Sequence, residues 1–194
     1  GLMDVSKEPQ RILDLYGAKP GDGSFASNCL LARRLAERGV RFIQLYHRGW
    51  DHHGGIKNAS KNTAGLVDRG SAALIQDLKE RGMLDDTLVI WTGEFVRTPD
   101  NNRRGGVYAL GRGHNVDAMT MLMAGGGVKG GVEYGKTDDY SYNIVEDPVH
   151  IRDFNATILH QLGIDHNKLS FRSQGLDQKL TGVEPARVLT PVLV

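Results

Sequence analysis

Twice along this chain a helical stretch closed by glycine runs directly into a short apolar segment, and that repeat constrains the fold more than any other feature. SNCLLARRLAER, residues 27–38, sets Leu31 and Leu35 one turn apart and is followed by Gly39, in the position just past a helix end. VRFIQLYH, residues 40–47, follows at once. Short and rich in β-branched and aromatic side chains, it suits a strand buried on both faces. DRGSAALIQDLKERG, residues 68–82, repeats the layout with Leu74, Ile75 and Leu78 at helical spacing, and leads into TLVIWTG, residues 87–93. Helices alternating with strands imply parallel pairing through right-handed crossovers, so the expected fold is an α/β sheet with helices on both faces.

The rest of the chain fits this expectation. MTMLMAGGG, residues 119–127, reads as a third strand whose glycine triplet makes a tight exit; the triplet lacks the spacing of a phosphate-binding loop. PVHIRDFNATILHQLG reads as a helix with Asp147 as N-cap, Pro148 at the first position, Gly163 beyond the end, and Ile151, Phe154, Ile158 and Leu162 on one face. Residues 98–116, rich in Gly, Arg and Asn, read as a long ordered loop of the kind that usually carries function. At 194 residues the chain is expected to form one domain.

With 24 basic against 23 acidic side chains and 40% apolar residues, nothing in the composition favours nucleic acid or a membrane surface. No apolar run is long enough for a membrane span. The single cysteine, Cys29, lies in an apolar helical segment and reads as a small buried hydrophobe. The chain starts at Gly1, so any export signal is expected upstream.

In open α/β sheets ligands gather beyond the carboxyl ends of the strands. Three segments aim metal-ligand types at that edge. RGWDHHGGIKN supplies Asp51, His52 and His53 after the first strand, Glu94 with Arg97 close behind follows the second, and the next loop carries Arg112 and His114. Carboxylate with imidazole suits zinc, manganese or iron, whereas calcium or magnesium would call for more oxygen ligands. In an extended backbone Asp51 and His53 project to one side, and His52 points away unless a turn intervenes. The plainer alternatives are that a histidine at a strand end is a hydrogen-bonded structural residue and that Arg97 forms a surface salt bridge. His47 reads equally as strand core or site rim. His150 and His160 read as ordinary positions on a helix, and His166 as a turn residue.

The ordered words CLLARRLAERGVRFIQLYH, GWDHHGG, LDDTLVIWTGEFVRTP, GRGHN, MLMAGGGVKGG and ATILHQLGID span nearly the whole chain. Together they resemble a sulfatase-like bacterial family of unknown function, domain of unknown function family 1501, within the alkaline phosphatase superfamily. The resemblance implies a three-layer core with a mostly parallel sheet, one or two divalent metals, and hydrolysis of sulfate or phosphate esters. Zinc or manganese would lead, with calcium or magnesium as further options. By position it makes Asp51, His53, Glu94 and His114 metal ligands, and gives Arg97 and Arg112 the anionic ester, sulfated saccharides included. It also implies an exported or periplasmic setting.

Four positions depart from the resemblance: Gly113 stands where relatives carry aspartate, Val96 where they carry glycine, and Arg152 and Asn155 where many carry histidine. Nothing in the chain corresponds to the strand that bears the superfamily's nucleophile. The chain is therefore expected to match the C-terminal part of such a protein, with a non-catalytic metal- or anion-binding module as the alternative.

Overall fold

The structure, a computed structural model, describes residues 1–104 and 107–194. Three helices build its first core: α1 (Gln10–Tyr16), α2 (Phe25–Ala36) and α3 (Ile56–Glu80). Helix α1 ends on Gly17 with φ 70°, the left-handed conformation that glycine adopts without steric cost. The Ser24 side chain accepts from the Ser27 backbone N–H at 3.1 Å and so caps α2. Helices α2 and α3 cross closely at Gly70, where a Cβ would lie 3.0 Å from the Ala26 Cα. Ile12, Leu13, Tyr16, Cys29, Leu30 and Ala73 fill the space between them. Burial pushes the Cys29 thiol up to about 12, so the side chain behaves as a hydrophobe.

Charge is buried alongside this core. Arg33, with a side chain only 2% exposed, pairs with Glu8 and Glu37, each at 2.7 Å, and lies 2.9 Å from Asp77. Arg81 joins Asp77 to Glu37, and Arg34 holds Glu8. The Tyr16 hydroxyl donates to Asp77 Oδ2 at 3.1 Å. Burial, and then the neighbouring Asp77 charge, raise the Tyr16 phenol well above its ordinary value of 10.0. The folded chain keeps that proton longer than the unfolded chain. The stability it contributes is therefore complete below pH 10.0 and falls as the pH rises further, because the unfolded phenol ionises first. Urea unfolding above pH 10.0 is expected to show a steeper loss in the wild type than in Tyr16→Phe.

The strands do not form the expected sheet. Among the described residues there are four two-stranded antiparallel pairs: β1 (Val89–Trp91) with β4 (Leu122–Ala124), β2 (Val96–Arg104) with β3 (Val107–Asn115), β5 (Lys136–Thr137) with β6 (Ile144–Glu146), and β7 (Phe171–Ser173) with β8 (Leu176–Gln178). A three-layer, mostly parallel, alkaline phosphatase-like core is thus contradicted, and the fold is mixed α/β. Residues 40–47 join no ladder. Their burial alternates, with Ile43, Leu45 and His47 turned inward and Phe42, Gln44 and Tyr46 exposed. Leu45 packs on the helical core and the His47 ring lies edge-on to Phe25, which makes His47 a packing residue. A strand buried on both faces would have enclosed Phe42 and Tyr46, which are 74% and 80% exposed.

Two other expectations are corrected. Within residues 98–116, read as a loop, the described residues form most of the β2–β3 hairpin; Gly105 and Gly106 lie outside the described residues. Helix α4 (Ile151–Gln161) starts later than its sequence signals suggest. Its N-cap is His150, whose Nδ1 accepts from the Arg152 N–H in a capping box with Asp153, while Asp147 stands outside at φ 44°. Past α4, a 3₁₀ turn (Thr190–Val192) helps form a second small core, in which Leu189, Val192 and Leu193 pack on Met123 of β4.

Candidate metal centre

The motif around Asp51 is a tight loop. Gly49 takes φ 90° and Gly55, the N-cap of α3, takes φ 57°, both conformations that suit glycine. Between them His52 N–H donates to Trp50 O at 3.0 Å and His53 N–H to Asp51 O at 3.2 Å, so the chain turns where an extended segment was expected. His52 faces away, with Nε2 3.4 Å from Thr63 Oγ1 on α3.

Strand β3 lies directly against this loop. The Arg112 N–H donates to His52 O at 3.0 Å. A Cβ on Gly111 would stand 2.0 Å from the His53 carbonyl carbon, so only glycine permits the approach. In the hairpin register Arg97 sits opposite His114, which places the two side chains as cross-strand neighbours beside Asp51.

One oxygen collects the result. Asp51 Oδ1 lies 2.6 Å from Arg97 Nη1, 2.9 Å from His53 Nε2 and 3.0 Å from His114 Nε2. The ligand atoms of Asp51, His53 and His114 all fall within 4.8 Å of one another. Hydrogen bonding to His114 and then to Arg97 holds the Asp51 carboxyl down at about 2, so it stays ionised at any ordinary pH. The His53 and His114 rings are 4.9 Å apart, and Phe95 lies 4.6 Å from His114. Arg97 rests over the Phe95 ring at 5.4 Å.

Four of the six residues given a ligand or anion-binding role in the sequence therefore meet: Asp51, His53, His114 and Arg97. Among the described residues Glu94 reaches the group only through Arg97, whose Nη2 donates to its Oε1 at 3.2 Å. Arg112 turns to Asn101 across the hairpin, at 2.8 Å. Phe95 escaped the sequence reading. Its position two residues before Arg97 is the signal, since alternate residues of extended backbone share a face. His114 comes from an antiparallel hairpin, so a parallel-sheet edge is not what assembles the site.

The donor set fits a divalent ion. Tetrahedral zinc, with bonds of about 2.0–2.1 Å, spaces its ligand atoms roughly 3.3 Å apart. The 2.9 and 3.0 Å separations at Asp51 need only a small opening to match that.

Fold and cluster together define a mixed α/β protein with a carboxylate and two imidazoles converging beside an arginine. The chain belongs to the family described as protein of unknown function (DUF1501), whose family profile matches residues 1–193. No curated protein and no solved structure matches it.

Proposed function

We propose that this chain carries the metal-binding wall of a metal-dependent hydrolase of sulfate or phosphate esters. The observation that carries the reading is the convergence of one ligand atom each from Asp51, His53 and His114 within 4.8 Å of one another. Three protein ligands around zinc or manganese leave a coordination position for substrate, as catalytic zinc sites do. An ion held there supplies Lewis acidity to the ester oxygens and lowers the pKa of an attacking hydroxyl. Arg97 adds paired donors for the anionic group, which serve sulfate and phosphate alike, and Phe95 gives the site an apolar flank beside His114. The resemblance to sulfatase-like proteins supports this substrate class, including sulfated saccharides, and supports a nucleophile supplied from outside this segment.

A second reading, a metal- or anion-binding module that does no chemistry, is favoured by Gly113. It presents no carboxylate where the resemblance places one, and its N–H donates to Thr98 Oγ1 at 2.9 Å. Calorimetric zinc titration with parallel assays on aryl sulfate and aryl phosphate esters separates the two. Binding by the wild type that Asp51→Ala abolishes, accompanied by turnover, is the expected result for the hydrolase. Binding without turnover, in a protein carrying the full family length, selects the module. Equal zinc binding by wild type and Asp51→Ala would refute the hydrolase and a metal-binding module alike, leaving only an anion-binding one.

A further inference from the structure

We infer that Arg97 is an exchangeable counterion: it pairs with Asp51 when no divalent ion is bound, and an incoming ion transfers its guanidinium to the anionic ligand. The inference rests on the metal reading above and adds a linkage between two ligands of the same site.

The geometry at Asp51 motivates it. Arg97 bridges two carboxylates, donating to Asp51 Oδ1 at 2.6 Å and to Glu94 Oε1 at 3.2 Å, which is the place a cation takes between two acids. A carboxylate oxygen offers two lone pairs, yet Asp51 Oδ1 already has three nitrogens within 3.0 Å. A metal bond to that oxygen consumes one lone pair and brings a double positive charge beside the guanidinium. Arg97 is the contact that would yield, because His53 and His114, whose Nε2 atoms face Asp51 Oδ1, would serve as ligands to the ion beside it. Its departure also frees Glu94.

A released arginine does not leave the site. Arg97 springs from β2 opposite His114 and stacks 5.4 Å over the Phe95 ring, so it pivots locally. Freed of Asp51, its paired donors suit a sulfate or phosphate group. Linkage then runs both ways. The ion raises anion affinity by releasing Arg97, and the anion raises ion affinity by the same factor by drawing Arg97 away.

The test is zinc titration at fixed ionic strength, in chloride and in sulfate, with the wild type, Arg97→Gln, Arg97→Lys and Asp51→Ala. An exposed ion pair is worth a factor of roughly two to five in an equilibrium constant. In chloride, Arg97→Gln is therefore expected to bind zinc about threefold more tightly than the wild type, whereas Arg97→Lys, which keeps the competing charge, stays near it. Sulfate is expected to tighten zinc binding in the wild type and to have no effect in Arg97→Gln. If Arg97→Gln binds zinc no more tightly, or responds to sulfate as the wild type does, Arg97 merely slides along the carboxylate and the exchange is wrong while the metal site stands. If the wild type binds zinc no better than Asp51→Ala, the metal reading and the exchange fall together.

Discussion

Arg33→Met is expected to destabilise the protein by about 3–5 kcal/mol, the usual cost of removing one partner from a buried ion pair. The reason lies in what stays behind. Asp77, with a side chain 2% exposed, keeps Arg81 and Tyr16 but loses the cation on its α2 side. Among the described residues, Glu8 then keeps only Arg34 as an ion-pair partner, and Glu37 only Arg81. Methionine replaces most of the apolar stem, so the loss reports charge rather than volume. Urea unfolding followed by circular dichroism measures it. The double variant Arg33→Met, Asp77→Leu is expected to recover part of the loss, since removing a buried pair costs less than orphaning one member. A single-variant loss below about 1 kcal/mol, typical of exposed pairs, would mean that water reaches these groups in solution.

Gly111→Ala is expected to weaken zinc binding by roughly 10- to 100-fold, the scale seen when groups that orient metal ligands are disturbed. The added methyl would overlap the His53 carbonyl carbon at 2.0 Å and its oxygen at 2.2 Å, which are backbone atoms that no rotamer change can move. Either the loop or β3 must retreat, and His53 then parts from His114. Overpacking of this kind also costs about 1–3 kcal/mol of stability. Gly65→Ala is the control. Gly65 lies within α3 with nothing within 4 Å of an added Cβ, so alanine there should stabilise slightly and leave zinc affinity unchanged. Unaltered zinc affinity in Gly111→Ala would show that some other contact aligns the ligands.

Apart from α1, which carried no reading, the helices were the legible part of this chain. Helix α2, the second half of α3 and α4 all carry apolar side chains at helical spacing, and the short apolar runs at β1 and β4 are indeed strands. The first half of α3, KNASKNTAG, is polar and its apolar spacing too sparse to read; buried Thr63, whose hydroxyl donates to Gly49 O at 3.3 Å, and Val67 just beyond hold it. Residues 40–47 deceived because an apolar run looks the same whether it is enclosed on both faces or rests one face on helices. The β2–β3 hairpin was invisible for a different reason. Its register shifts near Asn101 break any alternation, and its docking on the Asp51 loop through the Arg112 N–H is a contact that no local pattern encodes. Asp51, His53 and His114 stood out by residue type, whereas the link of Glu94 to Arg97 is a property of three-dimensional placement.

Helix α3 runs 25 residues, roughly 37 Å, with the two ends secured very differently. Its far end is clamped by Asp77, which Tyr16, Arg33 and Arg81 grip together. At the near end, Gly55 offers no side chain to its first N–H groups, directly behind the Asp51 loop. Such a rod is anchored at its heel by charge, whereas at its toe neighbours rather than a cap seat the ligand-bearing loop: Thr63 Oγ1 of the rod itself donates to Gly49 O, and the Arg112 N–H reaches His52 O from across the hairpin.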